Sequence, residues 1–315
     1  MGQGLAALVV THNRLDKLKV TLARLLETPA EALAHLVVVD NASSDGTGDW
    51  LESLSDPRLT VLDLDRNTGG AGGFAAGMAH VRDHLDPDWT VLMDDDARPR
   101  PGALQAFHAT DRSTCDAWAA AVTYPDGRIC EMNRPWVNPF WHFSAFLRAA
   151  RRGRAGFHLP EDAYTAQGPT PIDGGSFVGL FLSRDALRRT PLPDPGLFVY
   201  GDDVLYTLRL SGQGGTVAFD PQLEWEHDCA SFDPGQRMQP LWKAYYYHRN
   251  LILAYRRAAG PVFFWPAFWM ARAGWRARAA AYGSEAPAYR RILEKAIRDG
   301  LRGDLSLGHE EVTRL

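Results

Sequence analysis

The sequence predicts an α/β fold: a mostly parallel, doubly wound sheet with a helical extension at its C-terminal end. Three observations carry that expectation. Over the first hundred residues short apolar runs alternate with segments of helical period, the pattern of strands joined by crossover helices. Three aspartates stand directly behind the fourth apolar run, at the strand end where such sheets gather their ligands. Beyond Pro240 the strand pattern stops and only helical spacing remains.

The elements follow in order. Leu5–Val10 is a short apolar run, as expected of a strand covered on both faces. Leu15, Leu18, Leu22, Leu25 and Leu26 then recur at helical spacing. Leu36–Val39 is the second strand. Thr47 is placed to cap a short helix carrying Trp50, Leu51 and Leu54. Val61–Leu64 is the third strand, and a glycine-rich lead-in precedes a helix near Phe74–Val81. Trp89–Met93 is the fourth strand. Residues 125–171 are rich in Pro, Gly, Arg and aromatics, which reads as a long irregular excursion of the lid or binding-loop kind. Regular signals return at Phe177–Ser183 (strand), Asp202–Leu210 (helix) and Thr216–Phe219 (strand).

Composition narrows the function classes. The 315 residues carry 34 Lys+Arg against 38 Asp+Glu, a net charge of −4, which argues against general nucleic-acid binding. Aromatic residues are plentiful enough to bury, so disorder is disfavoured. Cys115, Cys130 and Cys229 are far apart and form no Cys-x-x-Cys, so neither a disulfide framework nor a thiolate zinc site is expected, and a reducing compartment fits. Met1–Val10 lacks a basic leader and reads as a strand. The longest uncharged apolar stretch, Ala258–Ala271, is 14 residues and contains Pro261 and Pro266; a spanning helix needs about 20. Residues 249–302 hold 10 Arg and one Lys against Glu285, Glu294 and Asp299. A basic helical module thus adjoins an acidic body.

Chemistry concentrates in a few places. Asp94-Asp95-Asp96 closes the fourth strand. Adjacent carboxylates repel and raise one another's pKa unless a cation compensates, and hard divalent cations take oxygen ligands. In an extended segment Asp94 and Asp96 point the same way and can share an ion, while Asp95 faces elsewhere. Asp40-Asn41, behind the second strand, offers acceptors and a donor to a base or ribose, or serves as turn chemistry. Arg66-Asn67-Thr68-Gly69-Gly70-Ala71-Gly72-Gly73-Phe74 permits close backbone approach and presents N–H groups to an anion such as a diphosphate. The same glycines also fit a dinucleotide fingerprint, although that belongs to a first βα turn and this one follows the third strand. Tyr200-Gly201-Asp202-Asp203 opens a helix with a candidate general base. His227, beside carboxylates after the last strand, is a candidate imidazole ligand. Arg249, in Tyr245-Tyr246-Tyr247-His248-Arg249-Asn250, is a candidate partner for a diphosphate or for the acidic body.

Seven segments in this order make the chain resemble the family 2 glycosyltransferases of GT-A fold, most closely bacterial galactofuranosyl- and rhamnosyltransferases. They are Val10-Thr11-His12-Asn13-Arg14, Val39-Asp40-Asn41-Ala42-Ser43, the segment from Arg66 to Phe74, Met93-Asp94-Asp95-Asp96, Gly201-Asp202-Asp203, Trp225-Glu226-His227 and Tyr246-Tyr247-His248-Arg249-Asn250. The resemblance implies an inverting, divalent-metal-dependent transferase using Mg²⁺ or Mn²⁺. Asp94, Asp96 and His227 would bind the metal. Thr11, Asn13, Asp40, Asn41, Arg66, Asn67, Gly69, Gly70, Gly72, Gly73 and Asp95 would bind the donor. Asp203 would be the base and Asp202 its assistant; many relatives have Glu-Asp there. The donor would be a UDP- or dTDP-linked sugar, galactofuranose or rhamnose, and the acceptor a glycan or lipid-linked glycan of the cell envelope. A catalytic unit over 1–235 would divide into a nucleotide half (1–124) and an acceptor half (125–235), followed by the helical region 236–315. The protein would be cytoplasmic, at the inner face of the membrane through 260–282, or self-associated through that region. The competing readings are an NAD(P)-dependent oxidoreductase using Gly70–Gly73 and a non-catalytic binding protein of the same fold.

Overall fold

A computed structural model describes residues 4–229 and 237–315; Met1–Gln3 and the expected boundary at 235/236 lie outside the described residues. The N-terminal part runs β1 (Leu5–Thr11), α1 (Leu15–Leu26), β2 (His35–Asp40), α2 (Thr47–Glu52), β3 (Leu59–Asp63), α3 (Gly69–His80) and β4 (Trp89–Asp94). Next come β5 (Ala97–Pro99), α4 (Ala103–His108), β6 (Ala117–Thr123), α5 (Phe143–Arg152), β7 (Thr170–Ile172), β8 (Leu180–Ser183), α6 (Arg184–Arg189), α7 (Asp202–Gly212) and β9 (Val217–His227). The C-terminal part is α8 (Lys243–Arg278), α9 (Ala286–Arg302) and α10 (His309–Val312).

One nine-stranded sheet has the order β3-β2-β1-β4-β8-β6-β9-β5, with β7 also pairing β9. The β3-β2-β1-β4 half is parallel. Its apolar runs are continuous because both faces are covered. Leu5, Ala7 and Val9 enter one core, whereas Ala6, Leu8 and Val10 enter the other. In the other half β6 and β9 are parallel, but β8 runs antiparallel between β4 and β6.

Several elements differ from expectation. Thr47 does not cap α2 with its hydroxyl; Gly46 holds the cap position, and Thr47 Oγ1 donates to Asp45 Oδ1 at 2.6 Å. The glycine segment is no lead-in, since α3 begins at Gly69. A Cβ on Gly73 would lie 2.4 Å from Val10 Cγ1, and one on Gly77 2.3 Å from Leu8 Cδ1. Absent side chains therefore let α3 settle directly on β1. The excursion 125–171 contains the regular helix α5. The strand expected over Phe177–Ser183 is confined to Leu180–Ser183. The strand expected at Thr216–Phe219 runs on to His227, with a register shift that pairs Ala120 with Asp220 but Ala121 with Glu224. Trp225, Glu226 and His227 thus lie within a strand rather than after it.

The C-terminal helices build their own core from Tyr245, Tyr246, Ile252, Phe268, Trp275 and Tyr289. Helix α8 is broken at Gly260, whose φ of 61° leaves the helical region just before Pro261.

Candidate active site

Parallel pairing aligns strand ends. Thr11 stands beside Asp40 and Val10 beside Asp94, so three motif segments meet at one edge of the sheet. Antiparallel pairing of β5 with β9 sets Ala97 opposite His227 and so brings the imidazole next to Asp96. His227 Nε2 donates to Asp96 Oδ1 at 3.0 Å across 131 residues of sequence. The backbone N–H of Asp228 donates to the carbonyl of Asp96 at 2.8 Å, which locks the two segments together.

The ligand atoms of Asp94, Asp96 and His227 all lie within 4.8 Å of one another. Asp95 faces the other way. Its Oδ2 accepts from Thr11 Oγ1 at 2.8 Å, and its Oδ1 pairs with Arg14 Nη1 at 3.1 Å. Arg14 also reaches Asp96 Oδ2 at 2.9 Å. Burial and the charge of Asp96 push the Asp94 carboxyl up to about 6. Burial pushes Asp95 to about 7 despite Arg14. Burial works against the charged form of Asp96, yet the hydrogen bond from His227 holds its carboxyl below the usual range. The same bond, with help from Cys130, overrides burial of His227 and raises it to about 10. Two oxygens and a nitrogen, crowded and short of positive charge, suit a hard divalent cation such as Mg²⁺ or Mn²⁺.

Asp202 and Asp203 open α7 within reach of the charge of Asp94. Burial raises both carboxyls, and the charge of Asp94 adds to the shift of each. The charge of Asp203 also raises Asp202. Asp203 Oδ1 accepts the N–H of Val204 at 2.7 Å, which orients it at the helix start. The approach to this pair is strained: Phe198 and Tyr200 have positive φ, and Gly201 follows in the same region, where a glycine fits without cost.

That strained loop is gripped from α8. Asn250 Nδ2 donates to the carbonyls of Leu197, Val199 and Tyr200 at 2.9, 3.0 and 2.8 Å. Arg249 is fully buried, and its Nη2 donates to the carbonyls of Gly196 and Leu197 at 2.6 and 3.2 Å. Phe198 stacks on His309 with ring centroids 4.0 Å apart. Arg249 therefore has neither of the partners expected for it. Its planar fork holds backbone, not an anion.

The other expected donor residues divide by surroundings. Asp40 is buried and its Oδ1 accepts the N–H of Ser43 at 2.9 Å. Asn41 has both ends engaged: Nδ2 donates to the carbonyl of Gly69 at 2.8 Å and Oδ1 accepts from Thr68 N at 2.9 Å. It braces the start of α3. Asn13 Oδ1 accepts from Ser44 N at 2.7 Å, tying two loops together. Asn67 Oδ1 accepts from Gly69 N at 2.8 Å. Arg66 is exposed. Gly72 and Gly73 are packed against Thr68 and Val10; only Gly70 among these glycines borders open space. Gly69 has a φ of +70°, and a Cβ there would sit 2.0 Å from the carbonyl oxygen of Phe198. A side chain at 69 would push on the loop that carries Asp202 and Asp203.

Sequence reasoning missed Cys130 and Asn133, which pack against the Nδ1 side of His227. Asn133 Oδ1 accepts from Nδ1 at 2.7 Å and from Cys130 Sγ at 2.9 Å. Cys229 joins them, its Sγ 4.0 Å from that of Cys130. The cysteines that seemed scattered thus include a converging pair. A cavity of about 640 Å³ opens at the opposite end of the sheet, near Gly4, Trp89, Phe107 and Arg112, far from this cluster.

Residues 6–154 match the family model described as glycosyl transferase family 2. The chain is 30% identical over 258 residues to galactofuranosyltransferase GlfT1 of Mycolicibacterium smegmatis, covering 78% of this chain and 80% of that protein. In fold it is similar to GalNAc-T7 solved with UDP, GalNAc and Mn²⁺ (TM-score 0.55, 15% identity, 80% of this chain and 47% of the other). It is also similar to S. aureus TarS 1-349 in complex with UDP-GlcNAc (TM-score 0.52, 14% identity, 98% of this chain and 77% of the other).

Proposed function

Since the chain belongs to glycosyl transferase family 2, we propose that it moves a sugar from a nucleoside-diphosphate donor to an acceptor hydroxyl, with inversion and with a divalent cation. The observation that carries this reading is the gathering of Asp94, Asp96 and His227 within 4.8 Å at the carboxyl edge of the sheet, with Asp202 and Asp203 close enough to feel the charge of Asp94. Mg²⁺ or Mn²⁺ held by those three side chains would supply charge stabilisation to the departing diphosphate. Thr11 and Arg14 hold Asp95 away from that ion and keep its neighbours aligned. Asp203 takes the proton of the acceptor hydroxyl, whose oxygen attacks the anomeric carbon from the face opposite the leaving group. A single displacement inverts the centre, through an oxocarbenium-like transition state. Asp202, raised by burial and by the charge of Asp203 beside it, assists.

The donor is a UDP- or dTDP-linked galactofuranose or rhamnose, in keeping with the 30% identity to a galactofuranosyltransferase. Thr11, Asp40 and the exposed Arg66 are the donor contacts best supported by position. The packing of Gly72 and Gly73 against protein atoms weighs against a dinucleotide there. A panel of nucleotide sugars tested with Mn²⁺ for thermal shift and for release of nucleoside diphosphate decides the matter. One UDP- or dTDP-sugar is expected to stabilise the protein and be turned over. Stabilisation by NADH alone would overturn the reading, and binding without any turnover would favour the non-catalytic one.

The acceptor is a glycan or lipid-linked glycan, met at the cytoplasmic face of the membrane through 260–282. No helix among the described residues is long and apolar enough to cross a membrane. Val262, Phe263, Trp265, Trp269 and Met270 are nonetheless exposed. Helix α5 extends the same face, with Phe143 exposed and the rings of Phe146 and Phe263 5.9 Å apart. Arg151, Arg152 and Arg272 supply cations for an anionic headgroup layer. Flotation with phosphatidylglycerol vesicles at low salt is expected to carry the protein upward, and Phe263→Glu with Trp269→Glu to release it. No flotation at low salt would count against membrane contact and favour packing of this face within the protein or on a second subunit.

A further inference from the structure

The imidazole of His227 lies between two different sets of ligand atoms. On its Nε2 side are the carboxylates of Asp94 and Asp96; on its Nδ1 side are the sulfurs of Cys130 and Cys229. Nδ1 is 3.8 Å from Cys130 Sγ and 3.4 Å from Cys229 Sγ, and the sulfurs are 4.0 Å apart. Zinc–sulfur bonds of about 2.3 Å and zinc–nitrogen bonds of about 2.1 Å at tetrahedral angles require ligand separations of roughly 3.6 to 3.8 Å. The three atoms already stand near the corners of one face of such a tetrahedron. Neither cysteine is in a disulfide. Cys130 is buried and Cys229 partly exposed, which gives an ion a way in.

We infer that Cys130, Cys229 and His227 Nδ1 form a second metal site, selective for a soft, thiophilic divalent cation such as Zn²⁺ or Cd²⁺, and that it competes with the hard-cation site for the same imidazole. Binding displaces whatever protons the two thiols and Nδ1 carry and breaks the hydrogen bond from Nδ1 to Asn133, so the one ring proton that remains is on Nε2. Nε2–H then donates to Asp96 Oδ1, already 3.0 Å away, and has no lone pair for a metal beside Asp94. In the opposite state Nε2 faces the hard cation, and Nδ1–H donates to Asn133 Oδ1 at 2.7 Å. One ring thus selects between two tautomers and two ions. A thiophilic metal would switch the enzyme off without touching either carboxylate. The competition rests on the catalytic-metal reading above; the soft site itself does not.

The test is a titration of Cd²⁺ into chelator-treated protein, followed by the ultraviolet charge-transfer absorption of cadmium thiolates. One equivalent is expected to saturate the band. Cys130→Ser and Cys229→Ser should each weaken binding by on the order of tenfold or more, and Cys115→Ser should leave it intact. Absence of the band, or its survival in both variants, overturns the site. Competition is read from the paramagnetic resonance of free Mn²⁺. One equivalent of Cd²⁺ should expel bound Mn²⁺ from the wild type but not from the Cys130→Ser, Cys229→Ser double variant, and equal behaviour of the two overturns the sharing. Should Mn²⁺ not bind the chelator-treated, cadmium-free protein at all, the catalytic reading and the sharing fail together, and the cadmium band still decides the soft site.

Discussion

Asp203→Asn is expected to bind the donor as the wild type does and to lose about a hundredfold to ten-thousandfold in kcat, the usual contribution of a positioned general base. The amide keeps the hydrogen bond from Val204 N, so the start of α7 is preserved. What disappears is the capacity to take a proton. Calorimetry with nucleotide sugar and Mn²⁺, beside steady-state turnover, separates the two effects, and full turnover in the variant would remove Asp203 from the role. The wild type should show an acid limb in its pH–rate profile. Burial and Asp94 raise the Asp203 carboxyl above the ordinary carboxylate range, so the basic form is lost as pH falls through that raised value. A cation bound by Asp94 offsets the charge that helps to raise it. Saturating Mn²⁺ should therefore move the limb to lower pH.

Asp96→Ala is expected to lower Mn²⁺-dependent donor affinity by more than about a hundredfold, since it removes a ligand rather than a supporting group. It also deprives His227 and Arg14 of a shared partner. The isosteric Asp96→Asn guards against a folding defect and should lose the same metal dependence. Unchanged donor affinity in the presence of Mn²⁺ would exclude the site. The wild type offers a second readout. Asp94 and Asp95 titrate near 6 and 7 in the folded chain, above their unfolded values. The stability they contribute is complete below the ordinary carboxylate value of 3.8 and is lost progressively as pH rises to 6 and 7. His227, raised to about 10, likewise loses its contribution above its unfolded value. The contributions of Asp94, Asp95 and His227 to the metal-free protein should accordingly decline from about pH 4 to pH 8, and Mn²⁺ should raise its Tm more at pH 8 than at pH 6.

Much of the β3-β2-β1-β4 half of the sheet could be read from sequence, because its strands are covered on both faces and their apolar runs are unbroken. Helix α3 was harder. Its first five residues include four glycines, which disfavour helices in isolation, and the close approach to β1 that requires glycine at 73 and 77 is visible only in the fold. Strand β9 was truncated in the reading because Pro221 and Gln222 interrupt its pattern at the register shift. The acidic cluster was legible because charge directly behind a buried strand is conspicuous. Cys130 and Asn133 were not, since they sit in irregular chain and reach His227 only through the tertiary fold. Arg249 shows the opposite failure. Sequence displays its charge but not its burial, and burial turned an expected anion contact into a brace for backbone carbonyls.

The grip of Asn250 on the loop before Asp202 has an architectural corollary. The loop that carries Asp203, the proposed proton acceptor, is held by a helix lying outside the segment, 6–154, that matches the family model. Grafting a foreign tail after Pro240 to retarget the enzyme would thus slacken its chemistry along with its address. Any successful transplant would have to bring an amide and a guanidinium able to seize the same carbonyls.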